Sequence, residues 1–120
     1  MLRVALGLMA GLAIWVAVTA HGEEVPDLKL PAVVAHGRDV FSETCTYCHG
    51  ENAAGGAGGA PGLQGRTDLG AQEIFDTISE GRIRGTNIMP AWKESLSPGA
   101  RWALTAYILS IAVAPGGSKQ

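Results

Sequence analysis

The 120-residue chain has only two cysteines, three positions apart at Cys45 and Cys48. A bridge between them would close too small a loop to staple a fold, so their role is chemical rather than structural. Positive charge is also scarce: the formal net charge is -2, which argues against nucleic acid as a partner. No segment alternates apolar and polar residues convincingly with a period of two, and strands are not expected. The glycine-rich stretch Glu51–Gly62 lacks the Gly-Lys-Ser/Thr ending of a phosphate-binding loop.

The N-terminus reads as a targeting segment. Arg3 precedes an apolar run from Val4 to Ala20 that ends on the small-x-small sequence Val18-Thr19-Ala20. Residues 1–20 are therefore expected to be an export signal, or an uncleaved hydrophobic anchor at the lower limit of the roughly 17–25 residues that span a bilayer. Either way the remainder is placed in the periplasm, soluble or tethered to the outer face of the cytoplasmic membrane. Residues 21–31, with acids and prolines and no apolar period, form a linker. Residues 32–114 form one domain and 115–120 a flexible tail. A domain this short buries only a modest core.

Within the domain, helical patterns stand out. Pro31 suits a first helical turn, and Val33, Gly37, Val40, Phe41 and Thr44 share one face of the helix that follows. A second helix is expected over Ala71–Glu80, capped by Thr67 or Asp68 and ended by Gly81. Arg82–Leu96 reads as irregular. The last helix has Ser97 as its cap, Pro98 at its first position and an apolar face of Leu104, Tyr107, Ile108 and Ile111. The fold class expected is all-α with long loops, the glycine-rich one curling closely around a large flat object.

Cys45-Thr46-Tyr47-Cys48-His49-Gly50 carries the chemistry. A redox dithiol would sit at a helix start within a β-α-β pattern, whereas this pair follows a helix. A structural zinc site needs four ligands, and Cys45, Cys48 and His49 supply at most three. Covalent attachment of a haem uses all three residues: the thiols form thioethers with the vinyl groups and His49 becomes the proximal ligand. Of the three methionines, Met1 and Met9 lie in the targeting segment, which leaves Met89 as the candidate sixth ligand. His36 is a rival, but it lies on the helix leading into the attachment site.

Taken with Ala60-Pro61-Gly62-Leu63, Met89-Pro90-Ala91-Trp92 and the pairing of Gly37 and Phe41 with Leu104 and Tyr107, these motifs make Val33–Ile111 resemble the small class I bacterial c-type cytochromes. The resemblance implies a cytochrome c fold: three to five helices with long loops around one covalently bound haem c, preceded here by the N-terminal hydrophobic helix. It implies that the Pro61 carbonyl accepts a hydrogen bond from His49 and that Trp92 lies near the haem edge or a propionate. It also implies that the chain is an electron-transfer protein rather than an enzyme, meeting redox protein partners through the exposed haem edge. As a periplasmic carrier it would shuttle single electrons to an acceptor such as a dehydrogenase or terminal oxidase. The alternatives are a membrane-anchored haem subunit of a larger respiratory or dehydrogenase complex, associating with the membrane through residues 1–20, and a five-coordinate haem sensor or peroxidase. Arg82, Arg84 and Lys93, in a stretch without acids, are expected to flank the haem edge and steer an acidic partner.

Overall fold

A computed structural model describes residues 24–56 and 59–112. The expected export signal or anchor over 1–20 and the tail over 115–120 lie outside the described residues. Among the described residues no helix is long and apolar enough to cross a membrane.

The chain order is α1 (Pro31–Thr44), α2 (Thr46–His49), a 3₁₀ turn (Glu51–Ala53), α3 (Ala71–Glu80), β1 (Arg82–Arg84), β2 (Asn87–Met89) and α4 (Pro98–Ala112). Leu30 is extended, as a residue before proline must be, and its carbonyl accepts from Val33 and Val34 at 3.0 Å to open α1. At the other end of the domain Ser97 Oγ accepts from Ala100 N at 3.1 Å, a side-chain cap that satisfies one free donor of α4.

α4 is the central element. From Arg101 to Ile108 every residue is buried, because α1 covers one side of this helix and α3 another. Gly37 permits the α1–α4 crossing: a β-carbon there would run into the carbonyl oxygen of Ala103. One turn further along α1, Phe41 packs at 5.2 Å between ring centroids against Tyr107. Ile74 and Ile78 of α3 join Phe41, Leu104, Tyr107 and Ile108 in one core.

Two expectations need correction. The fold is mostly helical rather than all-α: β1 and β2 form an antiparallel hairpin with Ile83 opposite Ile88. Strands of three residues are too short to show a period of two, so Arg82–Leu96 read as irregular. The cap of α3 is Gly70, which makes no side-chain cap bond, while Asp68 is turned away to accept from Arg66. The glycine-rich loop also packs on itself and on the cysteine motif. Gly55 N donates to His49 O at 2.7 Å, and a β-carbon at Gly56 would strike the carbonyl of Cys48.

Candidate functional site

α1 breaks at Cys45 (φ -108, ψ -22) and the chain resumes as the single turn α2, so the cysteine motif occupies a corner rather than a continuous helix. The corner is tied down at both ends. Cys45 N donates to Phe41 O at 2.8 Å, and Gly50, at φ 78, directs the chain out of α2.

His49 is buried beneath this corner, 9% exposed, with its ring 6.2 Å from that of Phe41. Its Nδ1 lies 3.0 Å from the carbonyl oxygen of Pro61. A carbonyl only accepts, so Nδ1 carries the proton and donates, and the Nε2 lone pair is left free for a metal ion. The Pro61–His49 bond therefore fixes both the tautomer and the ring plane.

Burial pushes the Cys45 thiol up to about 11, with a smaller contribution from the neighbouring Cys48. Such a thiol stays protonated at neutral pH, the opposite of what a redox dithiol requires. Among the described residues no three His, Cys, Asp or Glu side chains cluster as a metal site.

A cavity of about 860 Å³ opens between α2, α3, the hairpin and α4. Cys45, Cys48, His49, Pro61, Met89 and Trp92 all border it. The two cysteines and His49 come from the corner, Pro61 from the glycine-rich loop, and Met89 and Trp92 from the end of β2 and the segment after it. Its inner wall is apolar, built from Phe41, Ile74, Ile78 and Leu104. Close-packed interiors leave few voids larger than a water molecule, so a space this size is a binding site rather than a packing defect. The donor set fits a haem c: two thiols for thioethers, an imidazole with its lone pair free and one thioether sulfur. His36 is exposed and borders a separate groove with Pro26 and Val33.

The site also holds residues that the sequence did not single out. Arg66, Glu73 and Tyr47 stand at its border, and Tyr47 is 96% exposed. Of the basic residues expected at the rim, Arg82 and Arg84 border the cavity and Lys93 does not. Arg82 lies 3.4 Å from Glu73 and Lys93 2.9 Å from Glu80, whereas Arg84 makes no ion pair among the described residues.

The family model for cytochrome c oxidase, cbb3-type, subunit III matches residues 32–108. The chain belongs to this family. Its similar curated relatives include the cbb3-type cytochrome c oxidase subunit FixP of Bradyrhizobium sp. (strain ORS 278), 38% identical over 89 residues that make up 71% of this chain and 28% of the relative. Subunit CcoP of Azospirillum brasilense is 31% identical over 96 residues, 73% of this chain and 30% of the relative. The chain thus aligns with less than a third of the length of these curated relatives.

Solved structures agree on the fold of this cbb3-type subunit III family member. The c-type cytochrome XoxG from Methylobacterium extorquens AM1 superposes with a TM-score of 0.58 at 23% identity, over 67% of this chain and 50% of that one. Cytochrome cL from Methylophaga aminisulfidivorans MPT gives 0.58 at 20% identity, over 69% and 55%. The fold is that of c-type cytochromes.

Proposed function

We propose that the chain is an electron-transfer domain that holds one haem c and serves as a subunit of a respiratory oxidase complex at the outer face of the cytoplasmic membrane. The observation that carries this is the convergence of Cys45, Cys48, His49 and Met89 on one cavity. The haem, when bound, supplies exchange of single electrons between the ferric and ferrous states, at a potential raised by histidine–methionine ligation.

The residues of the chain divide the remaining work. Cys45 and Cys48 would tether the group at the corner, and His49, held by Pro61, would offer Nε2 to its iron. Met89 would supply a second ligand to the iron from the hairpin side, which would leave little room for a substrate there. Ile74, Ile78, Phe41 and Leu104 keep water from the inner wall, which favours the less charged state. Trp92 borders the same cavity as Met89. Arg84, exposed on the hairpin, favours a partner with an acidic face.

Assignment to a complex, in preference to a diffusible carrier, is supported by the family match and by relatives that are named as oxidase subunits. Residues 1–20 would provide the attachment if they are retained as an anchor.

The test is the absorption spectrum of protein made with haem attachment in a bacterial periplasm, wild type against Met89→Ala. A far-red ferric sulfur-to-iron band is expected in the wild type and lost in the variant. A wild type without that band, whose ferrous form takes up carbon monoxide, is a sensor or peroxidase instead. Extraction from membranes only with detergent, together with co-purifying oxidase subunits, is expected; release by salt as a lone protein makes the chain a diffusible carrier.

A further inference from the structure

Arg101 is a buried cation without a carboxylate. It is 9% exposed, and among the described residues no Asp or Glu lies within ion-pair distance of it. Its Nε has no hydrogen-bond partner. A buried charge is costly unless something compensates it, so its surroundings must supply the compensation.

They do so from one element, α3. Arg101 Nη1 donates to Ser79 Oγ, and the guanidinium lies 4.9 Å from the centroid of the Phe75 ring. Ser79 lies in the last turn of α3, whose last carbonyls form the negative pole of the helix, and Phe75 lies one turn before it. Those same carbonyls hold the segment that follows Met89. Ile78 O accepts from Trp92 N at 3.0 Å, and Ser79 O accepts from Lys93 N at 3.3 Å. Gly81, just past the helix, lies against the carbonyl of Met89 so closely that a β-carbon there would collide with it. Ser79 thus joins two attachments: its hydroxyl to α4 through Arg101, its carbonyl to the Met89 segment through Lys93.

We infer that Arg101 is a positioning residue for Met89, acting through Ser79 to fix the end of α3 on which the Met89–Lys93 segment hangs. The inference rests on the reading of Met89 as an axial ligand. Without the clamp, the α3 terminus and the segment bonded to it lose their anchor to α4, and the sulfur is displaced more easily by an added ligand.

The test uses the haem-loaded full-length protein and titrates its ferric form with imidazole, following loss of the far-red band. Arg101→Met and Ser79→Ala are expected to raise the affinity for imidazole about tenfold, the scale of losing one hydrogen bond to a charged group. Trp102→Phe, which weakens the 4.0 Å stack of Trp102 on Phe75 without touching Ser79, is expected to lower thermal stability and leave imidazole affinity unchanged. Affinities in Arg101→Met and Ser79→Ala equal to the wild type overturn the inference while leaving Met89 a ligand. An equal rise in Trp102→Phe also overturns it, since general α3–α4 packing would then be the cause. If Arg101→Met fails to fold, Ser79→Ala decides the matter alone. A wild type that lacks the far-red band removes the ligation reading and this inference with it.

Discussion

Gly37 of α1 lies against the backbone carbonyl of Ala103 in α4, with no room for a β-carbon between them. This approach sets the distance between the two helices, and through it the place of the site. Phe41, one turn beyond Gly37, meets both Tyr107 of α4 and the ring of His49. The crossing point and the proximal histidine are therefore joined by a single aromatic side chain.

Gly37→Ala tests that link. A methyl group facing a backbone carbonyl has no flexible neighbour to push aside, so the helices must separate. Overpacking of this kind costs about 1–3 kcal/mol. Urea unfolding of the haem-loaded protein is expected to show that loss with an unchanged slope. A stability equal to the wild type would mean that α1 and α4 separate without cost.

Much of this architecture is legible in the residues themselves, because the strongest signals are local. Pro31, Gly81 and the pair Ser97-Pro98 mark helix ends by their own stereochemistry, and the helices begin or end there. Cys45, Cys48, His49 and Met89 border one cavity, although Met89 lies forty residues beyond His49 in sequence. What was hidden depends on neighbours distant in sequence. The hairpin is closed at Gly85-Thr86, a two-residue turn with Gly85 at φ 61, and that turn was the only local hint of it. Arg101 reads as a surface residue from its type, and its burial follows from α3 packing across α4. Among the glycines of the loop, Gly56 lies against the carbonyl of Cys48, Gly62 against that of Ala54 and Gly59 against the Asn87 side chain.

Arg66 borders the cavity and donates twice to Asp68, at 2.7 Å each. That hydrogen bonding holds the Asp68 carboxyl down at about 2. A carboxyl lowered in the folded state contributes its stabilisation at pH values above its ordinary range, and the contribution fades as pH falls through the folded value. Because the pair is exposed, the effect on stability is small and the titration itself is the measurement. NMR of the Asp68 carboxyl carbon is expected to give a midpoint near the lowered value in the wild type and an ordinary one in Arg66→Ala. The same midpoint in both proteins would mean that the pair is not formed in solution.

Charge steering should be uneven across the basic stretch. Arg82 and Lys93 are partly neutralised by Glu73 and Glu80 of α3, whereas Arg84 has no such partner among the described residues. Arg84→Glu is therefore expected to slow association with an acidic redox partner, with an effect that shrinks as ionic strength rises. Lys93→Glu should do less, since Lys93 does not border the cavity. Stopped-flow association rates across a salt series measure both. Equal effects from the two variants would assign the steering to net charge rather than to the hairpin.

The cavity also determines whether the chain folds alone. At about 24 cal/mol per Å³, a void of this size would cost on the order of 20 kcal/mol, an upper bound for a site partly open to water. Domains are stable by only about 5–15 kcal/mol, so leaving this apolar space unfilled would take up much of that margin. A Cys45→Ala, Cys48→Ala chain made without haem is therefore expected to lack a cooperative thermal transition and native-like near-ultraviolet circular dichroism. A sharp transition in that chain, with Phe41 and Tyr107 still packed, would show that the apolar core is sufficient and that the tethered group is a passenger in the fold rather than part of it.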